Sequence, residues 1–166
     1  MLVEAGTELR ATPAAVWRLV SDPETLPAVV VGLSRWEAVG SPRRGLGARY
    51  RVRMVVGSAH VGGLVEVVEF DEDRDMAWTN ITGVDHRGRW RLRATGPGRT
   101  RVTLRLTYSV PGGLIGVIVG RLAAPMVRSN VRETLARLRR MVDERAVTDG
   151  RRRHGKTQVD VGDRAG

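Results

Sequence analysis

An alternation of arginine with apolar or aromatic residues constrains the fold of this chain more than any other feature. In the stretch GRWRLRATGPGRTRVTLRLTYSV, residues 88–110, arginines take nearly every second position and most residues between them are apolar. Side chains of a strand point alternately to opposite faces of a sheet, so the arginines share one face, while Trp90 and Leu104 lie on the other. The pattern predicts antiparallel strands with a wet basic face and a dry face.

Turn signals rich in glycine, proline and aspartate divide the chain from Ser34 onward into short segments of period two. Strands are predicted near residues 34–39, 47–56, 59–70, 74–81, 86–95 and 99–110. Because the connections between them are short, the strands are expected to form an antiparallel meander.

Helical patterns flank these strands. After an opening strand, Thr12-Pro13 and Ser21-Asp22-Pro23 each place a capping residue before a proline, which predicts two short helices, the second reaching Val31. Beyond Pro111, apolar residues recur three to four apart and predict one C-terminal helix of about 30 residues. This helix is the element long and apolar enough to cover the dry face.

The length suits one domain, which we place at residues 1–147, followed by a polar tail at 148–166 that is predicted to be disordered. The chain has no cysteine, which excludes disulfides, thiolate metal sites and thiol nucleophiles. Its single lysine, Lys156, lies in the tail, so Schiff-base chemistry in the folded body is excluded. The acidic residues of 71–75 lack the pattern of a calcium loop. No metal and no cofactor is expected.

The formal net charge of +10 has two interpretations: a solvated arginine-rich surface, or a surface for an acidic partner. Readers of single-stranded nucleic acid place exposed aromatics among their charges, whereas here the aromatics lie on the opposite face, so nucleic acid is not the expected partner. The apolar run 112–120 is too short to span a membrane. We expect a cytoplasmic monomer or homodimer.

Four segments resemble the polyketide cyclase/dehydrase family of the START-like (SRPBCC, Bet v 1-like) superfamily. They are LRATPAAVWRLVSDPETLP, EVVEFDEDRDMAWT, the arginine-rich stretch and the final ETLARLRRMVDE, which together cover about residues 2–145. The resemblance implies an α+β helix-grip fold, in which a curved seven-stranded antiparallel sheet surrounds a long C-terminal helix and two short helices follow strand 1. It also implies a cavity between sheet and helix, with Trp17 and Pro27 on its portal side.

A continuous dry face with few catalytic side chains favours binding of a hydrophobic small molecule, lipid or polyketide-like, in an apolar cavity. The alternative is an enzyme, a polyketide aromatase/cyclase or dehydratase that uses the same cavity. The residues expected to line it come from the dry faces of the strands and from the last helix: Tyr50, Val52, Met54, Trp78, Trp90, Leu104, Leu106, Tyr108, Leu122, Met126 and Asn130.

His86 is the candidate catalytic residue, because a neutral imidazole at the end of the dry face can move a proton on a bound carbonyl or enol. The alternative is a histidine held by hydrogen bonds at a strand end. The tyrosine hydroxyls orient a ligand or find partners in a filled core. Asn130 binds ligand or lies at an edge of its helix, and the tryptophans form a ligand wall or a packed core.

Overall fold

The protein is described here as a computed structural model, which covers residues 1–109 and 113–159, with side chains for 1–109 and 123–148. The elements in chain order are β1 Leu2–Leu9, α1 Pro13–Val20, α2 Leu26–Val29, β2 Leu33–Val39, β3 Arg49–Val56, β4 Ala59–Asp71, β5 Asp75–Gly83, β6 Asp85–Gly96, β7 Arg99–Ser109 and α3 Gly113–Val159. The strands form one seven-stranded sheet in the order β1-β7-β6-β5-β4-β3-β2, and every neighbouring pair is antiparallel. This confirms the predicted α+β helix-grip fold.

The sheet curves because its ladders are interrupted and because two strands approach each other closely. Register shifts occur in the pairs β2–β3, β4–β5 and β6–β7, and such bulges bend and twist the strand that carries them. Where β4 meets the end of β5, a Cβ atom on Gly63 would lie 2.0 Å from the carbonyl oxygen of Thr82. Only glycine permits this approach.

The first short helix begins as the sequence predicts. Thr12 is the N-cap of α1, its hydroxyl accepts a hydrogen bond from the Ala15 amide at 3.3 Å, and Pro13 is the first helical residue. Its apolar side, which includes Val16 and Leu19, is buried against the sheet. The helix therefore covers one end of the dry face.

The second short helix is shorter than predicted. The Asp22 carboxylate accepts a hydrogen bond from the Glu24 amide at 2.9 Å, which closes a turn and not a helix. Helix α2 begins only at Leu26, with Pro27 in its first turn where proline needs no amide partner. Val30 is already extended, so the helix ends before Gly32.

Helix α3 packs on the concave face of the sheet with one stripe of side chains. Val131, Leu135, Leu138 and Val142 are buried in the same core as the inner residues of the strands. The Thr134 hydroxyl accepts a hydrogen bond from the Val31 amide at 3.0 Å, which ties α3 to the connection between α2 and β2. Helical backbone continues through Val159, past the domain boundary expected at 147.

Candidate functional site

The concave face of the sheet carries the apolar residues of the alternation, and the guanidinium groups lie on the convex face. Trp90 is 0% exposed, and Tyr50, Val52 and Leu104 are also buried in the core. Met54, Trp78, Leu106 and Tyr108 are partly buried and pack against the same core. The eight strand residues predicted to line a cavity thus share one face.

Burial on this face decreases along the strands. On β7, Val102 and Leu104 are buried while Leu106 and Tyr108 are partly exposed, and on β6 the change falls between Trp90 and His86. The same change occurs on β3 between Val52 and Met54. The concave face is therefore closed near α1, and it stays accessible where β3, β6 and β7 reach their other ends.

Aromatic rings extend across the concave face. Trp36 on β2 stacks on Tyr50 with ring centroids 4.6 Å apart, and it meets Trp78 on β5 edge-on at 6.5 Å. Trp36 was not predicted to line the cavity, although its pairing with Val52 places it on the inner face. The alternation of β2 was the signal that would have found it.

The tyrosine on β3 has its hydroxyl occupied within the protein. The Tyr50 hydroxyl donates a hydrogen bond to the Arg43 carbonyl at 2.8 Å. Burial raises the pKa of Tyr50, against the opposing charges of Arg44 and Arg43. The Tyr50 ring lies on the inner face, but its hydroxyl binds the backbone of the loop before β3.

His86 lies at the accessible end of β6, opposite Tyr108 on β7. Its Nδ1 is 2.9 Å from the Val84 carbonyl oxygen, and since a carbonyl only accepts, Nδ1 carries the proton. In a neutral ring Nε2 is then an acceptor that can take up a proton. The His86 amide donates a hydrogen bond to Oδ1 of Asn80 at 3.2 Å. This contact lies just beyond Thr79 and Arg87, the last paired residues of β5 and β6.

Tyr108 completes this end of the face. Burial raises the pKa of Tyr108, while the positive charge of Arg128 on α3 acts in the opposite direction. Arg128 was not among the residues predicted to line the cavity. An imidazole acceptor and a phenol thus lie at the accessible end of the apolar surface.

The three residues of α3 that were predicted to line the cavity differ in where the structure places them. Asn130 reaches the backbone of β3, with its Nδ2 at 3.5 Å from the Val55 carbonyl oxygen, so it lies at a flank of the helix. Met126 is 49% exposed, and its sulfur lies where a Cβ atom on Gly57 would approach to 2.6 Å. The side chain of Leu122 lies outside the described residues.

Trp17 is not at a portal, contrary to what the resemblance implied. It is buried in the core and meets Phe70 edge-on at 5.1 Å, because the apolar side of α1 faces the sheet. The indole N–H groups of Trp17 and Trp90 are buried without a hydrogen-bond acceptor in the part of the chain that the structure describes.

The clefts on the convex face are charged. One of about 580 Å³ is lined by Arg87, Arg89, Arg91 and Arg105 together with Glu4 and Glu69, and one of about 790 Å³ contains Arg51 and Arg53. Cross-strand ion pairs join several of these arginines to acids, as in Arg49–Glu66 at 2.7 Å. Apolar residues such as Val68 and Leu64 also border these clefts, but the guanidinium and carboxylate groups make them better suited to polar ligands.

Within the described residues, no group of three or more acids and histidines is placed to hold a metal ion. None of the helices there combines the length and the apolar character needed to cross a membrane.

The model of the family described as polyketide cyclase / dehydrase and lipid transport matches residues 2–143 of this chain. The chain belongs to this family. A search of curated proteins found no significant match. The family match and the observed architecture together indicate a fold of the type that binds hydrophobic ligands.

Solved structures of the same architecture cover nearly the whole domain. The protein TTHA0849 from Thermus thermophilus is 28% identical, with a TM-score of 0.73, 86% of this chain covered and 97% of the other. The Zhui aromatase/cyclase from Streptomyces sp. R1128 is 19% identical, with a TM-score of 0.69 and coverages of 88% and 95%. A START superfamily protein from Mycobacterium smegmatis is 17% identical, with a TM-score of 0.57 and coverages of 80% and 97%.

Proposed function

We propose that this family member binds a hydrophobic small molecule, lipid or polyketide-like, between the concave face of the sheet and α3. The gradient of burial on the concave face carries the proposal: apolar and aromatic residues that would be costly to expose remain accessible at one end of that face. Trp36, Trp78, Met54 and Leu106 offer a flat, polarisable surface there. A ligand that covers them gains the free energy of removing this surface from water.

The test fills the accessible end of the site. In Leu106→Trp the added ring occupies the space next to Tyr108, so affinity for any apolar ligand should fall about tenfold or more. Thr107→Trp is the matched control, because Thr107 is the next residue of β7 and lies on the convex face. Binding is measured by thermal shift and tryptophan fluorescence with fatty acids, fatty alcohols and polycyclic aromatic compounds. Binding that is absent in the wild type, or equal in both variants, contradicts the proposal.

Catalysis as a polyketide cyclase or dehydratase is the second candidate, and the position of His86 favours it. Its Nε2 can accept a proton from a methylene between two carbonyls, and the resulting enolate carbon can attack a third carbonyl of the same chain. The new alkoxide is protonated, and loss of water follows in a dehydration. The imidazolium that forms in the first step can return its proton to this alkoxide.

His86→Ala separates the two candidates. If the protein is a cyclase, this variant retains ligand binding and loses about a hundredfold or more of its turnover with a poly-β-ketone substrate, followed by product chromatography. His60→Ala is the control, since His60 is exposed on β4. Turnover that persists in His86→Ala would exclude His86 as the base.

A further inference from the structure

Two arginines of β3 lie in the convex cleft of about 790 Å³ without an acidic partner. Arg51 and Arg53 are exposed and line this cleft, which extends from β2 across β3 and β4 to the end of β5. Among the described side chains neither of them forms an ion pair. Arg49, the preceding arginine on the same face of β3, pairs with Glu66 at 2.7 Å. The cleft therefore begins where this row of arginines is no longer neutralised.

The register of β3 with β4 explains why the two arginines are unpaired. Arg53 lies opposite Gly62, and Arg51 lies opposite Leu64, so β4 offers no carboxylate at either position. A Cβ atom on Gly62 would lie 2.6 Å from the Val52 carbonyl oxygen, so no other residue fits there without moving the backbone. The space beside Arg53 is thus kept open by the packing of the strands.

The neighbouring strand β2 adds a further positive charge. Arg35 lies directly opposite Arg53, and like charges in such positions repel. Glu37 lies opposite Arg51, but its carboxylate pairs with Arg35 at 3.2 Å. Three arginines against one glutamate leave two positive charges at the cleft. An anion placed between the guanidinium groups would relieve their repulsion.

We propose that Arg51 and Arg53 bind a phosphate group in this cleft, carried by a free phosphorylated molecule or by a lipid headgroup. Their Cα atoms are about 7 Å apart, since they are two residues apart on one strand, so both flexible side chains can reach one anion. A guanidinium presents parallel N–H donors that match phosphate oxygens. The site lies on the face opposite the apolar ligand site, so it is a second and separate binding site.

The first test is isothermal titration with inorganic pyrophosphate in about 150 mM NaCl. Arg51→Gln and Arg53→Gln should each weaken binding about three- to tenfold. Leu64→Glu should abolish it, because the new carboxylate lies opposite Arg51 as Glu66 lies opposite Arg49. Leu64→Gln, which has the same shape without the charge, is the matched control and should bind as the wild type does.

Arg101→Gln is the control for net charge. Arg101 is exposed on β7, which β5 and β6 separate from β4, and its loss should leave the affinity unchanged. A wild type that does not bind pyrophosphate would overturn the proposal. The same holds if Leu64→Gln loses binding as Leu64→Glu does, or if Arg101→Gln weakens it as much as Arg53→Gln.

Sedimentation with phosphatidylcholine vesicles, with and without phosphatidic acid, distinguishes the two sources of the phosphate. If the site takes a lipid headgroup, the wild type and Leu64→Gln sediment only with the vesicles that contain phosphatidic acid, and Leu64→Glu stays in solution. A wild type that binds pyrophosphate but not these vesicles assigns the site to a free phosphorylated molecule. Vesicle binding that Leu64→Glu retains would exclude the lipid headgroup from this cleft.

Discussion

At Gly88 a missing side chain determines where a tryptophan of the concave face lies. Gly88 pairs with Trp78 across β5 and β6, and a Cβ atom on Gly88 would lie 2.0 Å from the Trp78 ring. No side chain, not even alanine, fits without moving the indole. The ring lies against the backbone of β6 because position 88 is glycine, and from there it meets Trp36.

We expect Gly88→Ala to destabilise the protein by about 1–3 kcal/mol, because the added methyl group displaces a large ring in a packed region. The change should also shift the tryptophan emission and weaken ligand binding. Urea unfolding and fluorescence measure both effects. Gly96→Ala on the same strand is the control, since no atom lies within 4 Å of its added Cβ. Equal unfolding midpoints for the two variants would contradict this account.

Individual site residues could be predicted only where the alternation of side chains along a strand fixes the face on which they lie. This alternation placed Trp78, Trp90 and Leu104 on one face, because each strand has two faces and the arginines occupy the other. It could not show that the Tyr50 hydroxyl binds the Arg43 carbonyl, because that contact depends on the path of a loop. Nor could it relate Arg128 to Tyr108, because the alternation along a strand does not place the side chains of a helix.

At the level of elements, a buried carboxylate joins β5 to β6. The Asp75 side chain is 7% exposed and accepts hydrogen bonds from Arg91 at 3.1 Å and from Arg93 at 2.6 Å. Burial raises the pKa of Asp75, but the hydrogen bonds and charges of Arg93 and Arg91 outweigh it, so the pKa lies below its ordinary value. Arg91 and Arg93, two arginines of the convex face, thus hold β6 to β5 through Asp75.

Asp75→Asn should cost about 1–3 kcal/mol of unfolding free energy at pH 7, because it removes charge-assisted hydrogen bonds. A carboxylate whose pKa is lowered by folding contributes stability above its unfolded pKa, about pH 4, and loses it as the pH falls through the folded value. The difference between variant and wild type should therefore shrink in acid.

Urea unfolding at pH 7, 5, 3 and 2.5 measures this difference. Asp71→Asn is the control, since Asp71 is exposed and lies 3.7 Å from Arg74, so its removal should cost less than about 0.5 kcal/mol. A cost for Asp75→Asn that stays constant down to pH 2.5 would show that the carboxylate charge is not what fastens the hairpin.

The elements themselves were largely predictable, and the exceptions have physical reasons. The strands fall within a few residues of their predicted ranges, because glycine and proline turns delimit a strict alternation. Helix α2 was predicted too long, because the capping signal of Asp22 is used in a turn that sequence does not distinguish from a helix start. The domain boundary at 147 stays a prediction.

Taken as a whole, the molecule separates an apolar inside from a basic outside. Its formal net charge is +10, and arginines on the convex face even lie directly opposite one another, as Arg89 does with Arg105 and Arg93 with Arg101. Like charges in such positions repel, and the glutamates of β1 and β4 offset part of this cost through pairs such as Arg105–Glu4 and Arg89–Glu69. The remaining charge gives the convex face a positive field.

This separation predicts that polyanions and hydrophobic ligands bind independently. DNA should bind the convex face without sequence preference, since arginines and threonines line the clefts there, and Trp78, which also borders one of them, has its ring packed against Gly88 on the concave face. Because such binding depends on phosphate contacts alone, its affinity should fall by about a thousandfold or more between 50 and 200 mM salt. Fluorescence anisotropy with duplexes of unrelated sequence measures this.

Dodecanol, which occupies the uncharged face, should bind equally with and without DNA at 50 mM salt. Competition between the two, or a preferred sequence that persists at 200 mM salt, would mean that the arginine face and the concave face act as one site.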